Sequence, residues 1–407
     1  MRVLIVSQYF WPESFRINEI VGSLQQAGCR VTVLTGQPNY PDGKIYSGYR
    51  ACASGRHDHT GGYPIYRVAI VPRGSGKGWR LALNYLSFVV SASLQGRWLL
   101  RGQDFDVILV YGVSPILQAI PGIVLKRPMR AALVTWVQDL WPDSIAVAGF
   151  VRNRWLLGCV GSVVKWIYRH SDLLLVQSQA FVPIVQSMAS RVPVRYQPNP
   201  GELSSSESPE VIDSGVTLEP GFNVVFAGNL GTVQALDTVL DAADRLAEFR
   251  DIHIVLVGSG SRRDWLVQEA GARKLSNVRF IGRLPAPAMP SVLSQASVLL
   301  VTLLRSPTMS RTIPSKIQAY LAAGRPIIAC LDGEGARVIE EAGAGLTCGA
   351  EDAAELAKVI LRMRGMSDVE LLRMGEAGRW YYHQNFDPGA LARKLVGYFR
   401  DLRQDER

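Results

Sequence analysis

The amino-acid sequence predicts an α/β protein built as two doubly wound halves, and three observations lead there. Short apolar runs bounded by turn residues alternate with stretches of helical period, the pattern of parallel strands buried beneath helices. The rhythm breaks once, at residues 201–220 (GELSSSESPEVIDSGVTLEP), where serine, acid and proline replace apolar residues, and then restarts. At 407 residues the chain is also too long for one ordinary domain.

In the first half, residues 2–7 (RVLIVS) form the opening strand, and the loop Gln8–Ser14 leads to a helix from about Phe15 to Ala27, closed by Gly28. Strand Val31–Thr35, the proline- and glycine-rich loop Gln37–Tyr49 and strand Ile65–Ile70 follow. Residues 79–100 (WRLALNYLSFVVSASLQGRWLL) are an apolar helical segment. Asp106–Tyr111 is a strand, Ser114–Leu125 a helix, and Ala132–Gln138 a strand ending in Asp139-Leu140-Trp141-Pro142-Asp143. Helix Asn153–His170, strand Leu173–Gln177, helix Ala180–Ser190 and the run Val194–Pro198 complete this half. The stretch 201–220 has little to bury and is read as a linker.

In the second half, strand Asn223–Ala227 runs into the glycine turn Gly228–Gly231 and a helix Gln234–Phe249. Strand His253–Val257 ends in a second glycine turn, Gly258–Gly260. Helix Arg262–Arg273, strand Val278–Ile281, helix Ala286–Gln295 and strand Val298–Thr302 lead to the stretch SRTIPSKIQAYLAAGRPIIACLDGEGARVIEEAGAGL. There Pro314 suits a helix start, Gly324 a helix end, and Ile327–Ala329 a buried strand before a helix through Arg337, Val338 and Ile339. The tail is helical over Asp352–Met363, Asp368–Phe386 and Pro388–Arg403.

Charge is unevenly shared. Residues 1–200 hold 21 Lys/Arg against 9 Asp/Glu, whereas residues 201–407 hold 23 against 26. No acidic residue stands between His59 and Gln103, a stretch that carries Arg67, Arg73, Lys77, Arg80, Arg97 and Arg101. A basic half of this kind suits an anionic surface. Residues 81–94 are uncharged but too short for a membrane span, and the uncharged run 108–125 is cut by Gly112, Pro115 and Pro121. Trp79 and Trp98 at its ends, flanked by basic residues, give the 79–100 helix an interfacial pattern; a buried core helix is the alternative. Five scattered cysteines without CxxC spacing speak against a disulfide framework or a zinc site and for a reducing compartment, and Met1-Arg2 leads straight into a strand, so a cytosolic protein without a signal peptide is expected.

Neither metal-like motif convinces. Asp104-Phe105-Asp106 leads straight into a strand, where aspartates often cap, and His57-Asp58-His59 reads as a solvated loop. No metal and no cofactor is expected. Nor does the basic half carry a nucleic-acid recognition module.

Taken together, certain motifs resemble a known family. They are Phe10-Trp11-Pro12-Glu13 with Arg16; Thr35-Gly36-Gln37-Pro38-Asn39-Tyr40-Pro41; Val137-Gln138-Asp139-Leu140-Trp141-Pro142-Asp143; Gln197-Pro198-Asn199; Gly228-Asn229-Leu230-Gly231 with Gln234; and Pro314-Ser315-Lys316 through Gly324-Arg325-Pro326. The chain resembles the family-4 retaining glycosyltransferases of the GT-B fold, in the branch that builds bacterial capsule, exopolysaccharide and O-antigen units. Transferases of N-acetyl-L-fucosamine are the nearest likeness. The resemblance implies two Rossmann-like domains facing a cleft: residues 1–200, rejoined by about 387–407, for the acceptor and the membrane, and residues 221–386 for the nucleotide sugar. It implies a UDP-sugar donor and a polyprenyl-diphosphate-linked sugar acceptor at the inner face of the cytoplasmic membrane. Many members of the wider family carry two glutamates eight positions apart before the Gly-Arg-Pro motif; here those positions hold Arg311 and Ala319.

What the residues must do follows from the leaving group. A diphosphate develops charge as it departs, and helix N-termini, glycine turns and cations stabilise it without a metal. Gly228, Asn229, Leu230, Gly231, Gln234, Gly258, Pro314, Ser315 and Lys316 are expected at the donor, with Arg16 as a further cation from the other half. Arg283 and Leu284 are expected at the base, and Glu334 at the ribose, with Glu340 and Glu341 as alternatives. Asp139 is expected to orient a sugar, with Trp141 as an apolar wall or a packing residue. Glu13, Asn39, Tyr40, Asp143 and Asn199 complete the expected acceptor side. A nucleotide-sugar epimerase on the same fold and a silent membrane-bound scaffold are the alternative functions; the interfacial helix disfavours the first, and the intact glycine turns with Lys316 the second.

Overall fold

A computed structural model of the chain describes residues 1–74, 78–147, 153–201 and 213–404. They form two units, Met1–Pro200 with Pro388–Arg407, and Gly201–Asp387.

The first unit holds strands β1 (Arg2–Val6), β2 (Arg30–Thr35), β3 (Gly55–Asp58), β4 (Pro64–Arg67), β5 (Val107–Gly112), β6 (Ala132–Val137), β7 (Leu173–Val176) and β8 (Val194–Tyr196). Its helices are α1 (Ile17–Gln26), α2 (Gly78–Leu99), α3 (Ala119–Met129), α4 (Asp143–Val147), α5 (Arg154–His170) and α6 (Phe181–Ala189). The strand order is β3-β4-β2-β1-β5-β6-β7-β8, parallel except at β3. The direction of winding reverses between β1 and β5, and the loops at the carboxyl ends there are where ligands of such sheets bind. The central strands are buried and almost wholly apolar because helices cover both faces. On one face α2, α3, α5 and α6 share a core with Phe88, Leu125, Ile167 and Val185.

The second unit is wholly parallel, ordered β11-β10-β9-β12-β13-β14. Its strands are β9 (Phe222–Ala227), β10 (Ile252–Val257), β11 (Val278–Ile281), β12 (Val298–Thr302), β13 (Ile327–Cys330) and β14 (Gly345–Cys348). Helices α7 (Leu236–Arg245), α8 (Arg263–Ala272), α9 (Met289–Leu293), α10 (Pro307–Ser310), α11 (Ser315–Ala323), α12 (Glu334–Ala342), α13 (Ala353–Arg364) and α14 (Asp368–Asn385) surround it. The chain then returns to the first unit as α15 (Pro388–Gln404), whose Leu395, Val396 and Phe399 close the core over α1.

Several sequence expectations need correction. His57-Asp58-His59 is no loop over its first two residues: they belong to β3, an antiparallel edge strand that pairs His57 with Ile65, while His59 stacks on Tyr63. An edge strand needs no apolar alternation to be held, so GRHD hid it. The helix expected from Gln234 begins as a 3₁₀ turn, Thr232–Gln234, and only after Ala235 in left-handed conformation becomes α7. The helix expected over 286–295 is likewise a 3₁₀ turn followed by the short α9. Strand β14 and helices α4 and α10 were not foreseen. The linker expected at 201–220 is only in part a linker: residues 202–212 lie outside the described residues, while Leu218 is buried in the second unit's core and its N–H donates to Gln295. In the Asp104-Asp106 pair, Asp104 is largely exposed and meets the Arg2 guanidinium at 3.3 Å. Asp106 accepts from the Arg2 backbone at 2.7 Å and pairs with Arg403 of α15 at 3.1 Å.

Candidate active site

Gly228 ends β9, the strand beside which the second sheet reverses its winding. It has φ +138°, and a Cβ there would lie 2.6 Å from Cε of Lys316. Gly258, ending β10, has the same φ, and its Cβ would fall 1.9 Å from the Gly228 carbonyl oxygen. The two turns are therefore packed backbone on backbone, and only glycine permits it. Behind them Leu230 is fully buried and its N–H donates to Ser259. The Asn229 side chain lies against Gly231 and Gly260, where a Cβ would meet it at 2.7 and 2.6 Å.

A cavity of about 650 Å³ opens above this platform. Gly228, Asn229, Gly258, Arg283, Leu284, Ser315 and Lys316 all line it, so seven expected donor residues from four separate turns converge on one space. Pro314 is the extended residue capping α11, and the first turn of that helix borders the cavity. Unpaired N–H groups and the helix dipole at such a terminus favour an anion.

Lys316 is the partly buried basic group of this site, beside the exposed Arg283. Its Nζ donates to Oε1 of Gln234 and stands 3.5 Å from the centre of the Phe226 ring. Burial lowers its pKa from the ordinary lysine range to about 7. An amine so poised charges readily when an anion arrives.

Tyr320 of α11 was not among the residues expected at the site. Buried at the cavity wall, it receives the Ala227 N–H at 2.8 Å and returns its O–H to the Ala227 carbonyl at 3.2 Å. It thus fixes the residue before Gly228. Its spacing of four from Lys316 on α11 was the available signal.

Glu334 is not among the cavity's lining residues. It lies buried at the start of α12 and pairs with Arg337 at 3.0 Å. Of the alternatives, Glu340 accepts from Thr347, and Glu341 from Arg337 and Tyr381. A cation three or four residues on draws a helix carboxylate along the helix surface.

The first-unit candidates all lie at carboxyl ends of strands, in two groups. In one, Asn199 donates to Gln138 at 2.7 Å and Gln177 at 3.1 Å, and accepts from Tyr111 at 3.1 Å. Asp139 follows β6 here; burial raises its pKa against the opposing Ser114 backbone N–H. Trp141 donates its ring N–H to Ser114 at 3.0 Å, Asp143 opens α4, and Arg16 donates to the Pro200 carbonyl. Gln138, Gln177 and Tyr111 were not singled out from sequence.

In the other group, Glu13 is 1% exposed and accepts backbone N–H from Asn39 and Tyr40 at 2.7 Å each and from Phe10 at 3.2 Å. It ties two loops together and offers no free face. Asn39, fully buried, accepts from the Arg73 backbone and from Asn84 of α2. Tyr40 stays exposed and packs with Phe15, and the Arg73 guanidinium lies 5.0 Å above its ring.

Helix α2 is apolar on both sides. Leu81, Asn84, Phe88, Ala92 and Gly96 face the core, while Trp79, Leu83, Leu86, Val90, Leu94 and Trp98 are exposed. The core reading holds for the first of these faces, and the second is an exposed apolar stripe. Lys77 lies outside the described residues. Among the described residues no helix is long and apolar enough to cross a membrane.

Comparison with known proteins agrees with this architecture. Residues 14–200 match the glycosyl transferase 4-like domain, and residues 221–365 match glycosyl transferases group 1. WbjE of Pseudomonas aeruginosa, assigned as a glycosyltransferase, is 24% identical over 330 residues, covering 79% of this chain and 80% of its own. WcaI of Escherichia coli K12, assigned to colanic acid biosynthesis as a glycosyl transferase, is 25% identical over 346 residues, covering 80% and 82%. Among solved structures, sucrose-phosphate synthase of Thermosynechococcus elongatus aligns with TM-score 0.69 at 16% identity, covering 99% of both chains. HepE of Anabaena, solved in complex with UDP, aligns with TM-score 0.67 at 14% identity over 98% of this chain and all of its own. The chain is a glycosyltransferase of the family-4 kind, with its two units carrying the two domains of a GT-B fold.

Proposed function

We propose that the protein transfers a sugar, an N-acetylated deoxyhexosamine, from a UDP-sugar to a polyprenyl-diphosphate-linked acceptor in surface polysaccharide synthesis, with retention at the anomeric carbon and without a metal. The convergence of the Gly228 and Gly258 turns with Lys316 and the α11 N-terminus on one cavity carries this reading. HepE, a structural neighbour, was solved with UDP, and WcaI is assigned to a polysaccharide pathway; both support the donor class and the pathway.

In the reaction the bond from the anomeric carbon to the diphosphate breaks, and the diphosphate leaves with the electron pair. Backbone N–H groups of the Gly228 turn, the α11 N-terminus and charged Lys316 stabilise it. The acceptor hydroxyl adds to the same face of the sugar and gives up its proton to the departing phosphate oxygen. Asp139, with Asn199 and Trp141 on the same sheet edge, orients a sugar, and Arg16 is the cation of that edge. Arg283 and Leu284 meet the uracil. The exposed face of α2, with Arg80, Arg97 and Arg101, rests on the anionic inner leaflet where the lipid-linked acceptor resides.

Purified protein offered a panel of UDP-, GDP- and dTDP-sugars, with UDP release followed with and without lipid-linked acceptor, tests this. Acceptor-stimulated UDP release with a retained product anomer is expected. Preference for another nucleotide would overturn the donor assignment, and interconversion of the sugar without transfer would restore the epimerase alternative.

A further inference from the structure

The surface set against the membrane extends beyond α2, and the part not foreseen is α5. Helix α5 buries only Val164, Ile167 and Tyr168. Trp155, Cys159, Val163 and Trp166 recur at spacings of four, four and three, which places them on one stripe. That stripe is exposed, and Trp155 at its start is 88% exposed.

Helices α2, α3 and α5 belong to one layer on one face of the first sheet and share its core. The large exposed apolar side chains described in this unit lie on these three helices, apart from Trp11, Tyr40 and Val71. None of the three helices, nor α6 beside them, contains an aspartate or glutamate; they carry Arg80, Arg97, Lys126, Arg127, Arg154, Lys165 and Arg169. Helices α1 and α15, on the opposite face, carry Glu19 and Asp401. An apolar patch of this extent on a soluble domain marks an interaction surface. Tryptophans at both ends of each stripe and cations in excess of carboxylates, Lys126 being paired with Asp172 just past α5, fit the headgroup boundary of an anionic bilayer, since aromatic rings settle there and each unpaired cation gains from the surface potential.

We infer that α5 is a second membrane anchor, so that the protein rests on an anionic bilayer through a plane of two helices, α2 and α5. This rests on the proposed membrane attachment through α2 and specifies it. Two anchors on one rigid sheet fix an orientation where one allows rotation about its own axis. The second anchor also adds to binding as a linked contact does, multiplying partition coefficients.

The test uses the full chain and vesicles of phosphatidylglycerol with phosphatidylethanolamine, against phosphatidylcholine alone. Two variants are compared, Trp155→Glu with Trp166→Glu on α5, and Trp79→Glu with Trp98→Glu on α2. Each pair is expected to lower partitioning to anionic vesicles at least tenfold, and the four together to abolish it, with melting temperature and slow donor hydrolysis unchanged. Wild-type partitioning by the α5 pair alone would overturn the second anchor and leave the α2 reading standing. Wild-type partitioning by both pairs, or none by the parent protein, would overturn both. If light scattering shows a dimer that the α5 pair converts to monomer with vesicle binding intact, a second copy covers this face and the inference falls.

Discussion

Lys316 lies against a position where no side chain can stand: its Cε occupies the space a Cβ of Gly228 would need, at 2.6 Å. The lysine and the glycine are thus one device, a cation pressed against bare backbone. Gly228→Ala asks an L-residue to hold φ +138° as well as to displace the lysine. A backbone conformation of that kind costs on the order of 1–3 kcal/mol. UDP binding should weaken by one to two orders of magnitude in calorimetry, in a protein that still folds.

Lys316→Ala removes the charge that meets the leaving group. Turnover should fall ~10²-fold or more, as when one stabiliser of a developing anion is deleted. Near-normal turnover by a folded Lys316→Ala protein would refute this role.

Binding of the diphosphate should take up a proton. Free Lys316 has its pKa lowered to about 7, so above pH 7 it is mostly neutral in the empty protein. A bound diphosphate favours the charged amine and raises that pKa. Affinity for UDP should therefore be roughly level below pH 7 and fall as pH rises above it, with proton uptake at pH 8 seen by calorimetry in buffers of different ionisation heat. Stability runs the opposite way with pH. The unfolded lysine keeps its proton to a higher pH, so without ligand Lys316 makes stability rise with pH from about 7 upward. Lys316→Met should remove both dependences.

Glu13 serves folding. Truncation to alanine strands three backbone N–H groups, from Phe10, Asn39 and Tyr40, inside the protein. A loss of about 3 kcal/mol in urea unfolding is expected, with Glu13→Gln milder because an amide oxygen still accepts. Equal stability of Glu13→Ala would show that water replaces the carboxylate.

Excess EDTA should leave transfer intact. If it abolishes transfer and manganese or magnesium restores it, the metal-independent reading fails.

The strands were legible because buried parallel strands are written as unbroken apolar runs, as Val224–Phe226 and Leu299–Val301 show. Edge strands lack that mark: β3 is Gly-Arg-His-Asp, and β14 is a half-exposed Gly-Leu-Thr-Cys. Of the candidate site, the glycine turns and the lysine were readable separately, yet their contact joins positions nearly half a domain apart in sequence and no local pattern encodes it. That Glu334 turns to Arg337 and does not line the cavity was not legible, because position in a helix does not fix where a carboxylate turns when Arg337 lies one turn on. Glu13 carried the marks of a binding residue, and only its three backbone partners reveal a clamp. The two-sided character of α2 was hidden because apolar residues on both faces erase the period that would tell inside from outside.

The return of α15 has a consequence for how the protein is made. Leu395, Val396 and Phe399 complete the core beneath α1, and Arg403 meets Asp106, yet these residues leave the ribosome only after the whole second unit. The first sheet is synthesised early and must wait, with one flank of α1 uncovered, while the whole second unit emerges. During that interval it offers an apolar groove to chaperones and to other nascent chains. A nonsense mutation near residue 388 would spare every residue of the proposed donor cavity and still leave the opening domain unfinished.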